Sequence, residues 1–197
     1  MQIVKIIWIW IVKLCGWKLI LPEKGTRPEV DRCVFVVAPH TSALDFTIGA
    51  TFLWSISKNG KVFIKKEFFV WPLGPILRSL GCISIKRGNP TNNMVKKAKE
   101  EFKKNKNLSI AITPEGTRKP RKKWARGFWA IARESNIPIV PAYIDFRKKE
   151  IGIFDTIWPC KKYEEDDKNY KEDLKKVQKL YHKEMAKHPE NFIEFEE

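Results

Sequence analysis

Five short apolar runs, each followed by a stretch of helical character, constrain this chain more than any other feature. The runs are residues 34–38 (VFVVA), 61–65 (KVFIK), 82–87 (CISIKR), 108–113 (LSIAIT) and 137–145 (IPIVPAYID). Each has strand length and favours Val, Ile and Phe. Residues 43–57 read as a helix that stops near Asn59-Gly60. A turn and a short helix fit 71–81, a basic helix capped by Thr91 fits the stretch to about Lys104, and a further helix fits Ala125 to Glu134. Lys168 to Lys187 reads as a charged C-terminal helix. Strands that alternate with helices need crossover connections, so the expected fold is α/β. A chain of 197 residues suits a single domain, a mixed twisted sheet flanked by helices.

The N-terminus departs from this alternation. Residues 3–21 read IVKIIWIWIVKLCGWKLIL, apolar but broken by Lys5, Lys13 and Lys18. The longest charge-free stretch, Ile6 to Val12, falls well short of the roughly 20 residues that span a bilayer. The three lysines do not share one helical face. They can snorkel, however, and Trp8, Trp10 and Trp17 suit the headgroup layer. A helix within residues 1–22, lying in the membrane interface, is therefore expected. A helix packed on the protein's own core and a tilted spanning segment stay open as alternatives. Residues 23–197 are expected to form the domain proper.

Charge is unevenly placed. Residues 58–133 hold 20 Lys/Arg against 4 Asp/Glu, so the net +15 belongs to the middle of the chain. Such a field attracts phosphate groups on lipid, nucleic acid or a soluble ligand, though a solubilising surface would look the same. Cys15, Cys33, Cys82 and Cys160 are widely separated, with no CxxC pair and no histidine at zinc spacing. Buried thiols in a reducing compartment, and no metal site, are expected. No A-x-A-like site follows the apolar run, so a cleaved signal peptide is not expected.

His182 and His188 have surface-like neighbours, whereas His40 follows a strongly apolar strand and opens a loop into a helix. α/β sheets present reactive groups at the carboxyl ends of their strands. Asp45 lies five residues further on, in the early turns of that helix, and can meet His40 if the loop folds back. The carboxylate would then hold one ring nitrogen as a donor and leave the other free to accept a proton. Ser42 reads as a helix cap rather than a nucleophile. A second motif, Pro114-Glu115-Gly116-Thr117-Arg118, follows the strand at 108–113. Gly116 permits close backbone approach, and Arg118 offers a fork that matches phosphate oxygens. A buried Glu115 would need a partner.

Taken together, these residues resemble the glycerolipid acyltransferases, the lysophosphatidic acid and glycerol-3-phosphate acyltransferase group. The histidine–four residues–aspartate block matches His40 to Asp45, and Pro114 to Arg118 matches the Pro-Glu-Gly-Thr-Arg block intact. Gly81 to Arg87 resembles the block between them, and Ile139-Val140-Pro141 the last one. The stretch from Lys65-Lys66-Glu67-Phe68 through Pro72 and Gly74 also resembles the family's segment before the second block. Pro39, Ser84, Thr113 and Lys119 depart from common family residues without touching the proposed reacting atoms.

The resemblance implies a membrane-associated O-acyltransferase on the cytoplasmic face. It would move a fatty acyl group from acyl-CoA or acyl-carrier protein to a lysophospholipid hydroxyl, 1-acylglycerol-3-phosphate above all, in phospholipid synthesis. His40 and Asp45 would be catalytic. Arg87 and Arg118, with Lys66 in addition, would hold the acceptor phosphate, and Glu115, Gly116 and Thr117 would shape its pocket. No metal or redox cofactor is implied. Another lyso-lipid or an aminolipid acceptor is the alternative. A non-enzymatic nucleic-acid binder is a remote one, since no zinc finger or RNP-like motif supports it. Trp124, Phe128 and Trp129, after the basic run KPRKK, would either extend the cationic face or sit in a helix core.

Overall fold

The β-branched run Arg32–Ala38 (β2) forms the central strand, and its side chains alternate between two cores. Val34, Val36 and Ala38 enter one core, and Cys33, Phe35 and Val37 meet the other side. The computed structural model describes residues 2–20, 30–57, 59–85, 90–159 and 166–195. Around β2 stand β1 (Lys18–Leu19), β3 (Gly60–Lys65), β4 (Cys82–Ile85), β5 (Leu108–Ile112), β6 (Ile139–Asp145) and β7 (Glu150–Ile153). They form one seven-stranded sheet in the order β1-β7-β6-β2-β5-β3-β4. Every pairing is parallel except β6–β7, so the sheet is mixed and the fold is a single α/β domain.

The helices are α1 (Gln2–Leu14), α2 (Leu44–Ile56), α3 (Leu73–Ser79), α4 (Pro90–Lys104), α5 (Gly127–Glu134) and α6 (Asp166–Gln178). Helices α4 and α5 cover one face, where Val95, Ala98, Phe102, Phe128 and Ile131 pack on β2 and β5. Helix α2 covers the other through Leu53, Ile48 and Phe52. Trp124, Phe128 and Trp129 are buried, so the core placement holds and they do not extend a cationic face.

Several boundaries differ from expectation. The N-terminal apolar run is not one helix: α1 stops at Leu14 and the chain turns at Gly16, whose φ of +85° suits a residue without Cβ. The Gly16 and Trp17 N–H groups donate back to the Lys13 and Val12 carbonyls, a Schellman stop. The chain then turns into β1, which pairs with β7. Helix α4 starts at Pro90 rather than after a Thr91 cap. Helix α6 ends at Gln178, so His182 and His188 lie in a tail of short 3-10 turns and not in a helix. Strand β7 carries no turn glycine ahead of it; Lys149 takes the left-handed conformation instead, at φ 52°. No described helix is long and apolar enough to cross a membrane. Within α1, Ile6, Ile7, Trp10 and Leu14 are exposed while Val12 is buried. Cys33 and Cys82 are buried and Cys15 is exposed, none of them in a disulfide among the described residues; Cys160 lies outside those residues.

Candidate active site

Parallel pairing aligns the carboxyl ends of β2, β5, β3 and β4 along one edge of the sheet. His40 stands two residues beyond β2 on that edge, with its side chain 20% exposed. Asp45 lies in the first turn of α2 and is buried. Its Oδ2 is 3.0 Å from His40 Nδ1 and accepts the Thr41 and Ser42 N–H groups at 2.8 Å each. One carboxylate oxygen thus ties the loop together at a helix N-terminus, where negative charge is favoured. An acceptor oxygen so placed requires the proton on Nδ1, which leaves the Nε2 lone pair available. Asp45 Oδ1 is buried without a hydrogen-bond partner among the described residues. Ser42 Oγ accepts the Leu44 N–H at 3.2 Å, so the hydroxyl supports the start of the helix, though the cap position itself is Ala43.

Glu115 follows β5, the neighbour of β2, and is 2% exposed. Its Oε1 accepts the backbone N–H of His40 at 2.7 Å. Burial pushes its carboxyl up to about 8; the His40 N–H opposes this and the charge of Asp45 adds to it. Gly116 turns the chain at φ +66°, and its N–H donates to the Thr113 carbonyl. The Arg121 guanidinium donates to the Glu115 carbonyl at 3.3 Å, and Thr117 Oγ1 accepts the Lys119 N–H.

The site residues read from the sequence therefore divide. His40, Asp45 and Glu115 come together through direct hydrogen bonds. Gly116, Thr117 and Arg118 continue the same loop, and Arg118 is exposed with no ion pair to a described residue. Lys66 is exposed just past β3, two strands from β2. Arg87 lies outside the described residues. Three supports escaped sequence reading. Besides Arg121, Thr41 Oγ1 accepts the His188 N–H at 3.2 Å, and the buried Tyr181 hydroxyl donates to the Val36 carbonyl at 2.7 Å. The last two link positions 147 and 145 residues apart, which no local pattern signals.

Side chains in this arrangement define a class, α/β enzymes with a carboxylate-held imidazole at the carboxyl edge of the sheet. The chain belongs to the acyltransferase family, whose model matches residues 23–145. It is an O-acyltransferase, as the sequence blocks implied. A search of curated proteins finds no match. Among solved structures, the chain is similar to the 1-acyl-sn-glycerophosphate (LPA) acyltransferase, PlsC, from Thermotoga maritima. The two share 18% identity at a TM-score of 0.62, over 89% of this chain and 76% of that one. At that identity the likeness is one of fold.

Proposed function

We propose that the protein transfers a fatty acyl group from an acyl thioester to the hydroxyl of a lysophospholipid, 1-acylglycerol-3-phosphate above all. The observation that carries this reading is the 3.0 Å contact between His40 Nδ1 and Asp45 Oδ2. His40 Nε2 takes the proton from the acceptor hydroxyl as its oxygen attacks the thioester carbonyl. Asp45 steadies the imidazolium that forms. The tetrahedral intermediate collapses, the C–S bond breaks, and His40 returns the proton to the leaving thiolate. Ester and free thiol are the products, and the step as written uses no metal or redox cofactor. Glu115 holds the His40 backbone; Arg118 and Lys66 supply the cations for the acceptor phosphate, a role the resemblance also gives to Arg87. Gly116 and Thr117 shape the turn beneath it.

Acyl-CoA and acyl-carrier protein both fit as donors. The basic middle of the chain suits anionic substrates, and the exposed apolar side chains of α1 support residues 1–22 as an interfacial element on the acyltransferase domain 23–197. We place the enzyme at the cytoplasmic face, where thiols such as those of Cys33 and Cys82 stay reduced.

The test is thiol release from acyl-CoA or acyl-carrier protein, dependent on added lysophosphatidic acid, with the product identified by mass. His40→Ala should lower the rate by roughly 10²–10⁴-fold while the circular dichroism spectrum is unchanged. Normal turnover by that variant rejects the mechanism. Transfer only to an amine-bearing or different lyso-lipid rejects the acceptor.

A further inference from the structure

The exposed apolar surface does not end with α1. After β3 the chain makes a 3-10 turn at Lys66–Phe68 and enters α3. Along this connection Phe68, Val70, Trp71, Leu73 and Ile76 are all exposed, Trp71 by 85% and Val70 by 62%. Five large apolar side chains within nine residues exceed the scattered exposure normal for a surface. The backbone beneath them is tightly held. The Gly74 N–H donates to the Val70 carbonyl at 2.6 Å, and a Cβ on Gly74 would stand 2.5 Å from the Phe69 carbonyl oxygen. The Arg78 guanidinium covers the Phe69 ring at 5.6 Å, and Leu77 is buried. Lys65, Lys66 and Arg78 border the patch, with Glu67 as the acidic residue among them.

Placement adds a second argument. Strand β3 is parallel to both β4 and β5, and a right-handed β3–α3–β4 crossover puts α3 on the α2 face of the sheet. Helix α1 rests on α2, so its exposed Ile6, Trp10 and Leu14 belong to that face too. The patch also starts at the carboxyl end of β3, on the edge that carries His40.

We propose that Phe68–Ile76 is a second membrane-insertion element, which seats its apolar side chains in the interface of a bilayer while Lys65 and Arg78 meet anionic headgroups. This rests on the lipid-acceptor reading and deepens it, because it fixes the side from which the lipid reaches His40. Trp at the headgroup level with aliphatic neighbours below it is the pattern of interfacial insertion. The bordering cations add electrostatic attraction to an anionic surface, and salt screens it.

The test is flotation of the full chain with vesicles of phosphatidylcholine, with and without phosphatidylglycerol, in the absence of acyl donor and acceptor. The double variant Val70→Ser/Trp71→Ser alters two solvent-facing side chains, and circular dichroism checks its fold. The lipid concentration for half-maximal binding should rise about tenfold or more. Trp158→Ser, at a solvent-facing tryptophan outside the patch, should leave it unchanged. Arg78→Gln should weaken binding only to the anionic vesicles, and added salt should erase that difference. Wild-type binding by the double variant overturns the proposal. So does a wild-type dimer in sedimentation that the double variant dissociates, which would make the patch a contact between copies. Vesicle binding is read without chemistry, so failure of the acceptor assignment leaves this result standing. With a short-chain soluble acceptor the double variant should turn over like the wild type. A lost rate there would assign the segment to the substrate pocket and overturn the membrane role.

Discussion

Asp45 concentrates three contacts on one oxygen, the His40 ring and two backbone N–H groups. Asparagine has nearly the same shape but carries an amide that can present a donor to His40 Nδ1 and reverse the tautomer. Asp45→Asn should therefore lower kcat by roughly 10²–10⁴-fold with KM little changed; steady-state kinetics with an unchanged kcat would remove the orienting role. Glu115 behaves differently. Its folded-state pKa of about 8 exceeds the ordinary 4.5, so the unfolded chain ionises first as pH rises. Stability owed to Glu115 is then fully present below about pH 4.5, falls as pH rises from there to about 8, and levels off above. Glu115→Gln keeps an oxygen for the His40 N–H and removes the titration. Its melting temperature should fall less than that of the wild type between pH 5 and 8; parallel curves would show that Glu115 does not titrate in this window. His40, Asp45 and Glu115 were legible because each follows or starts an element with a clear pattern. That the Glu115 side chain reaches the backbone of His40 was not, because neighbouring strand ends become adjacent only in the sheet.

At the level of elements, β2 to β6 and α2 to α5 were readable because their apolar runs and stop signals are local. Strand β1 was hidden inside an apolar run that favoured helix, and only the Schellman stop at Gly16 separates the two. Strand β7 is four residues long, contains Gly152 and follows Lys149 at positive φ, so neither composition nor turn chemistry announced it. Helix α6 ends where Tyr181 leaves to enter the core, a tertiary event that overrides a charged, helix-favouring sequence. Helix α5 is held chiefly by its buried face. Phe128 is fully buried there, and Phe128→Ala should cost about 3–5 kcal/mol in chemical denaturation. A loss under about 1 kcal/mol would mean that the core on that face can collapse around the missing ring.

Across the whole molecule, the C-terminal tail locks together parts that are distant in sequence. Tyr181 bonds to β2, the His188 N–H bonds to Thr41 beside His40, and Phe192 joins the core cluster that Trp124 also enters. Tyr181→Phe leaves the buried Val36 carbonyl without that donor and should lower stability by about 1–2 kcal/mol, read by urea unfolding. No change would mean that another group takes up the carbonyl. The other end of the chain is secured as firmly. Val12 is buried, β1 joins β7, and Trp17 and Leu19 pack on Ile48, Phe52, Ile144 and Ile151. These contacts set the angle at which α1 leaves the sheet. Whatever rests on that helix meets the edge that carries His40 at one set angle, as a blade stands in the body of a plane. Loosening the Gly16 bend with a flexible insert would sacrifice the tilt before it sacrificed the grip.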